Sequence, residues 1–175
     1  MGIRTFIQEG RYADALAIVD ELEGMSKQAI LRNIQAYLNI LLIHLIKNQV
    51  EQRLTGSWAN SIRNSIREIK KLNIKDNKIS YYINLGEWQN LIEEEVIEDA
   101  MPAAGYANAD ASEEVMNGKF TRSQLSAMLD KSQILTTANS LLALTYTYSA
   151  KELPTIMDDY LSQLAGGEDW VNREK

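Results

Sequence analysis

The chain has 175 residues, 45% of them hydrophobic, which is enough to form the core of one domain. It contains no cysteine, and this excludes disulfide bonds, thiolate catalysis and cysteine-rich zinc sites. The net charge of −6 disfavours non-specific attachment to nucleic acid or to anionic lipid.

The N-terminal segment predicts two short helices separated by Gly10. Apolar residues at helical spacing, among them Ile3 and Ile7, predict the first helix. The second is expected to end before Gly24, because glycine is common just past helix ends. We expect no secretion signal, since the segment is amphipathic and has no apolar run followed by a cleavage site.

The longest apolar stripe of the chain lies near residues 26–48 and predicts a long central helix. Its members follow steps of three and four positions, and Ser26 is a suitable N-cap. Because the stripe is wide, we expect neighbouring helices on more than one side. The most apolar run, Ile40–Ile46, is far shorter than the ~20 residues of a bilayer span, so we expect a soluble chain that does not contact a membrane.

A polar break at residues 50–56 precedes the next helix. Thr55 or Ser57 is its expected N-cap, and its apolar residues begin at Trp58 and end at Leu72.

A further helix is predicted from Ile79 to about residue 101, with Gly86 as its one unfavourable residue. Its end is set by Pro102, because proline disfavours helical geometry in the residue before it.

The C-terminal part predicts more helices after a loop at residues 103–111. Thr121 is expected to cap one of them. Residues 134–148 are predicted to be helical although residues 145–148 alternate like a strand, because an isolated strand would have no partner. A capping box of Ser149 and Glu152 is predicted before the last helix.

Together these segments predict an all-α fold, a single bundle of about six to eight helices around the long helix near residues 26–48. Residues 1–101 are expected to form the bundle core. Residues 102–175 are expected to be a C-terminal helical extension that packs on the core, with a loose tail at residues 166–175.

Charge is segregated along the chain. The segment Lys47–Lys78 has eight basic and three acidic residues, whereas Asn84–Gly118 has nine acidic residues and no Lys or Arg. One interpretation is two solvated faces that attract each other within the bundle, with residues 58–71 lying against residues 87–114 or compensated by them. The other is a basic surface for a polyanion or an acidic partner.

No catalytic, cofactor-binding or metal-binding site is predicted. His44 is the only histidine, and the residue three positions before it is leucine rather than the glutamate of a helical metal site. We interpret it as a packed side chain that makes a hydrogen bond. The acidic run Glu93–Asp99 is interpreted as an outer helix face rather than a cation site. The sequence has no glycine-rich phosphate loop and no nucleophile elbow.

Residues 10–72 contain a series of short motifs. They are Gly10-Arg11-Tyr12, Gly24-Met25-Ser26, Leu41-Leu42 followed by His44, Leu45 and Lys47, and Ser57-Trp58 followed by Ile62 and Arg63. With these motifs the segment resembles a bacterial all-helical family, abundant in cyanobacteria, that is catalogued as domain of unknown function number twenty-nine. Asn48 departs from the pattern, because the family usually has tryptophan there. The resemblance implies an all-α fold and implies no activity.

The sequence therefore predicts a protein that works by binding and has no catalytic activity. We expect a cytoplasmic protein–protein interaction module, an adaptor or inhibitor with an unknown protein partner and no cofactor. The alternative is a nucleic-acid-associated factor that uses the basic face of residues 58–78. A third class, an enzyme, would depend on His44 with an acid brought close to it by folding. The oligomeric state is not indicated. The residues expected to carry the interaction or the structural signature are His44, Lys47, Trp58, Arg63 and Arg67.

Overall fold

The computed structural model describes residues 2–95, 127 and 129–168, and this part of the chain forms six α-helices. The helices are α1 (Ile3–Gln8), α2 (Tyr12–Glu51), α3 (Gly56–Asn73), α4 (Trp88–Glu95), α5 (Lys131–Thr147) and α6 (Leu153–Leu161), and a 3₁₀ turn lies at Leu85–Glu87. The β-type pairing among the described residues is one isolated bridge between Ile74 and Tyr81. The all-α prediction is confirmed.

The helix α2 is one continuous helix of 40 residues. The predicted helix end before Gly24, with Ser26 as the N-cap of the next helix, is wrong. A glycine inside a helix costs only about 0.5–1 kcal/mol, and no proline occurs anywhere in this segment. The helix therefore continues through both residues, and the predicted central helix at residues 26–48 lies within it.

The short helix α1 folds back onto the first turns of α2. Gly10 makes this reversal with a positive φ of 73°, a left-handed conformation that costs glycine little. The contact buries Ala15, whereas most of α2 from Leu16 to Ala29 stays exposed. The N-terminal half of α2 is thus an arm that projects from the bundle.

The core forms where the C-terminal half of α2 meets α3 and α5. The helix α2 contacts both, as the width of its apolar stripe predicts. The largest fully buried side chains are Ile34, Leu38, Leu41, Leu42, Ile46, Ile62, Ile66, Ile69, Trp88, Ile92 and Leu141.

The break between α2 and α3 is a tight turn. Gln52 takes a left-handed conformation with φ of 51° after the last turn of α2. The side chain of Thr55 then accepts a hydrogen bond of 3.1 Å from the backbone N–H of Trp58, so Thr55 is the N-cap of α3. The predicted break and this predicted cap are confirmed.

The residues after α3 form a turn rather than the helix predicted from Ile79. The side-chain oxygen of Asn77 accepts hydrogen bonds from the N–H groups of Ile79 and Ser80, at 3.0 and 3.1 Å, which is an Asx-type turn. Lys78 takes a positive φ of 58° within it. The helix begins only at Trp88, and its predicted end near residue 101 lies outside the described residues.

A buried amide fixes this turn to the bundle. The side-chain oxygen of Asn73 accepts from the N–H of Ile83 at 2.8 Å, and its nitrogen donates to the carbonyl of Ile83 at 2.9 Å. The same nitrogen donates to the hydroxyl of Tyr146 on α5 at 3.0 Å, and the indole N–H of Trp88 donates to that hydroxyl at 2.7 Å. Three helices and the turn thus share one polar network, and burial raises the pKa of Tyr146.

Two predictions for the C-terminal helices are confirmed. Residues 145–147, which alternate like a strand, are the last turn of α5. Ser149 and Glu152 form a capping box: the N–H of Ser149 donates to the Glu152 carboxylate at 3.1 Å, and the N–H of Glu152 donates to the Ser149 hydroxyl at 3.2 Å. The predicted loop at residues 103–111 and the predicted cap Thr121 lie outside the described residues.

The chain after α6 packs against the turn between α2 and α3. Asn48 donates to the carbonyls of Arg53 and Ala165, at 3.0 and 2.8 Å. Gly166 has a φ of 71°, and a Cβ atom there would lie 2.6 Å from the Cα of Arg53. Gly166 and the buried Gly167, the first residues of the predicted loose tail, are therefore packed.

The predicted division into residues 1–101 and 102–175 stays a prediction, because its boundary lies outside the described residues. Leu141 of α5 and Met157 of α6 belong to the same buried cluster as the residues of α2.

Candidate binding groove

A groove lies between α3, the turn that follows α3, and the start of α6, and we call it the α3–α6 groove. Its cavity has a volume of about 610 Å³. Its floor is apolar and its rim is basic. The floor residues are Ile74, Tyr81, Leu153, Pro154 and Met157, and the rim residues are Arg63, Arg67, Lys70 and Lys71.

The floor comes from two distant parts of the chain. Leu153 and Met157 are four positions apart on α6, so they share one helix face, and both are almost fully buried. Ile74 and Tyr81 are held side by side by the isolated bridge after α3, and Ile74 is partly exposed. The groove thus lies where α6 and the turn after α3 meet the same side of α3.

The rim comes from one face of α3. Arg67 follows Arg63 by four positions, and Lys70 and Lys71 follow Arg67 by three and four, so all four lie on one side of the helix. The opposite face of α3 is buried against α2, so the helix presents these bases to the groove.

Two rim residues are tied to neighbouring helices. The guanidinium of Arg63 lies 3.4 Å from the carboxylate of Asp158 on α6, and both side chains are about three-quarters buried. The ammonium of Lys70 donates to the carbonyl of Thr145, near the C-terminal end of α5, at 2.7 Å. A cation is favourable there because the last carbonyls of a helix carry partial negative charge.

The other two rim residues keep most of their surface in water. The side chains of Arg67 and Lys71 are 59% and 64% exposed, and both lie within ion-pair distance of Glu68, at 3.7 and 3.5 Å. One carboxylate thus faces two bases, and the guanidinium of Arg67 also donates to Asn64. Since exposed ion pairs contribute little, both bases are able to exchange Glu68 for another anion.

The charge of the basic helix is compensated by acids outside the segment 87–114, which the sequence predicted for this role. In the described residues the acids paired with this face of α3 are Asp158 and Glu68. Most of the acidic segment 87–114 lies outside those residues, so its pairing with α3 stays a prediction.

Lys47 and Trp58 lie together in a second cluster, away from the groove. The Trp58 ring is half-buried against the core, with the ammonium of Lys47 at 5.9 Å and the guanidinium of Arg53 at 4.8 Å from its centre. These are cation–π distances. The ring therefore closes the turn between α2 and α3 and is covered by two bases.

His44 is half-buried in the C-terminal half of α2. Its Nδ1 lies 2.7 Å from the carbonyl oxygen of Ile40, one turn earlier, so the ring donates a hydrogen bond to its own helix. Burial lowers the pKa of His44, the Ile40 carbonyl opposes that shift, and the charge of Lys47 adds to it. Burial thus favours the neutral form of the ring.

The structure brings Arg63 and Arg67 to one site and leaves the other three predicted residues elsewhere. The sequence missed the apolar floor, because Leu153 and Met157 are far from α3 in the chain and adjoin it only after folding. The four-residue spacing of Leu153 and Met157 after a capping box indicates a helix. It does not indicate against which other helix these two side chains pack.

Among the described residues there is no group of three or more His, Cys, Asp or Glu side chains placed to hold a metal ion. One helix in this part of the chain, α2, is long and apolar enough by length and composition to cross a membrane. Its apolar residues from Ile34 to Ile46 include much of the protein core, and core helices pass the same test.

Residues 8–88 match the family model described as "Domain of unknown function DUF29". The predicted resemblance is confirmed over that range, which contains all of α2 and α3. No curated protein and no solved structure matches the chain. The basic rim of the groove thus lies inside the matched range, whereas α6, which supplies part of the floor, lies outside it.

Proposed function

We propose that the protein is a protein–protein interaction module, an adaptor or inhibitor of the bacterial cytoplasm without catalytic activity, and that the α3–α6 groove is its binding site. The observation that carries the proposal is the apolar floor beneath a basic rim. The partner segment it fits is a peptide with bulky apolar side chains next to aspartate or glutamate.

The floor supports a peptide partner more than a polyanion. Ile74, Tyr81 and Pro154 offer carbon surface that an apolar side chain would remove from water, worth roughly 25 cal/mol per Å². A phosphate backbone gains nothing from such a surface. The carbon floor would therefore supply affinity, and the bases above it would select acidic neighbours.

The rim supports an acidic partner for a second reason. Arg67 and Lys71 share Glu68, so an incoming carboxylate replaces a weak, solvent-exposed contact. Complementary charge of this kind raises the association rate and excludes basic partners.

The chemistry of the lining supports binding rather than catalysis. The lining residues found in the described part of the chain include no carboxylate, histidine, serine or cysteine. General acid–base and nucleophilic catalysis depend mainly on those groups.

The alternative function, a nucleic-acid-associated factor, is supported by the same row of bases on α3. Arg63 and Lys70, however, already bind Asp158 and the carbonyl of Thr145. Fewer bases are then available to phosphates than the sequence suggests.

A selection from a library of random displayed peptides on the immobilised full-length chain tests the proposal. We expect enriched peptides to combine acidic with bulky apolar residues. Asn60→Trp, which fills the groove from the exposed face of α3, should abolish binding of a selected peptide. Asn90→Trp places the same side chain at an exposed position of α4 outside the groove and should leave binding unchanged.

A charge reversal separates the rim from the floor. Lys71→Glu should lower the affinity for the selected peptide at least tenfold. Lys78→Glu, an equal change of charge outside the groove, should leave that affinity unchanged. The proposed site would be contradicted if the enriched peptides had no acidic residues. It would also be contradicted if the Asn60→Trp variant still bound a selected peptide.

A further inference from the structure

The projecting arm of α2 carries an apolar stripe on its outer face. Leu22 and Met25 are exposed although both are large and apolar, and Met25 is 61% exposed. Isolated apolar residues on a surface are normal, but these belong to a series. The outer stripe of α2 consists of Ile18, Leu22, Met25, Ala29, Ala36 and Ile40.

The spacing of the outer stripe is that of a helix–helix seam. Its steps are four, three, four, seven and four positions, and within the step of seven Arg32 lies at the edge of the stripe. The stripe advances 22 positions in six turns, about 3.7 residues per turn, which is close to the 3.6 of a straight helix, so one face stays in line along the arm. Large and small residues alternate at Met25 and Ala29, so two such faces can interdigitate.

Charge along the arm changes sign at Gly24. From Asp14 to Glu23 the helix has four acids and no base, and from Gly24 to Val50 it has three bases and no acid. Glu21 and Arg32, on either side of this point, form no ion pair with any residue in the described ranges. Such a helix is complementary to a second copy of itself that runs in the opposite direction.

We propose that the outer stripe of α2 is a homodimer interface, in which the arm of a second copy packs antiparallel with the two-fold axis near residue 27. In this register Met25 lies opposite Ala29 of the second copy. Glu21 and Arg32 lie on the same flank of the stripe, and in antiparallel pairs equal flanks face each other. Glu21 therefore approaches Arg32 of the second copy, and symmetry makes the contact twice.

The parallel arrangement lacks this complementarity. It places acids beside acids and bases beside bases along the whole arm, and like charges across a seam are unfavourable. A lipid surface is also a poorer match, because Asp20, Glu21 and Glu23 would be drawn toward the headgroups with the stripe.

Sedimentation equilibrium of the full-length chain at micromolar concentration tests the proposal. The wild type should have the mass of a dimer, and Met25→Glu should have that of a monomer. Ile79→Glu is the matched control, because Ile79 is 85% exposed and lies on the turn after α3; it should remain a dimer. Since Met25 is exposed, Met25→Glu should leave the melting temperature of the monomer unchanged. A wild type that is monomeric at every concentration would overturn the proposal.

A charge exchange tests the antiparallel register. Glu21→Lys and Arg32→Glu should each weaken the dimer, because each places like charges together, and the two changes combined should restore it. This register would be overturned if the double variant dimerised more weakly than either single variant. Because the chain has no cysteine, Ser26→Cys, next to the axis, should form an intermolecular disulfide on oxidation, and Ser132→Cys on the exposed face of α5 should not. The reverse pattern of cross-linking would also overturn it.

Discussion

At two chain reversals of this protein, a buried asparagine side chain forms hydrogen bonds with backbone groups. Asn73 pairs with both backbone groups of Ile83, and Asn48 binds the carbonyls of Arg53 and Ala165. An asparagine side chain has two N–H donors, so one amide can bind two carbonyl groups. Asn48 therefore joins the segment after α6 to the turn between α2 and α3.

The neutral state of His44 makes stability depend on pH. Its pKa is lower in the folded chain than in the unfolded chain, so the unfolded chain binds the proton first as pH falls. This contribution to stability is complete above the unfolded pKa, near 6.5, and is lost as pH falls from there through the folded pKa. We expect the free energy of unfolding, from urea titrations at a series of pH values, to fall across this window.

The matched variant for this prediction is His44→Gln, which keeps a hydrogen-bond donor and cannot titrate. Carboxylates titrate equally in both proteins, so the difference between them isolates the histidine. A wild type and a variant with parallel pH dependence from pH 7 down to 5 would contradict the assignment of a neutral His44.

At the scale of elements, the sequence predicted helix identity better than helix boundaries. Periodicity was sufficient for α3 and for the last turn of α5, because each has a buried face and a recognisable cap. It was insufficient at Gly24, where a single glycine does not stop a helix, and at Ile79, where local side-chain hydrogen bonds of Asn77 compete with the helix. The sequence pattern shows where these residues are. It does not give the free energies that decide whether the helix continues or ends there.

The continuity of α2 leads to a prediction at Gly24. A glycine inside a helix loses more conformational entropy on folding than alanine does, and a Cβ atom at Gly24 would meet nothing within 4 Å. Gly24→Ala should therefore raise the free energy of unfolding by about 0.5–1 kcal/mol in a urea titration.

Gly10→Ala is the control, since a Cβ atom there also meets nothing within 4 Å but the residue has a φ of 73°. It should destabilise the chain by about 1 kcal/mol. If Gly24→Ala destabilised the protein as Gly10→Ala does, a helix break at Gly24 would be indicated instead.

At the scale of the whole molecule, the sequence predicted half of the candidate site. The four bases of the rim are readable from the three- and four-residue spacing of α3. The floor is not readable, because Ile74, Tyr81 and Met157 meet through a turn and a helix whose placement depends on the tertiary packing of α5 and α6. Local patterns specify which face of a helix is polar, and only the fold specifies what lies beneath it.

The rim also determines how the molecule should respond to a polyanion. Arg63 and Lys70 are engaged within the fold, which leaves Arg67 and Lys71 as the rim bases most available to phosphates. The logarithm of affinity for DNA falls with the logarithm of salt concentration by about 0.9 per phosphate neutralised, so two bases give a slope of only about −2. We therefore expect weak binding to duplex and single-stranded DNA at physiological salt in gel-shift titrations at several salt concentrations.

A nucleic-acid-associated factor would behave differently. It would use most of the eight bases between Lys47 and Lys78, bind tightly at low salt and show a slope several times steeper. Arg67→Ala combined with Lys71→Ala would then weaken DNA binding and make the salt slope shallower by about 2. That result would favour the alternative function, because a groove built for an acidic peptide has its affinity in the carbon floor, which DNA cannot use.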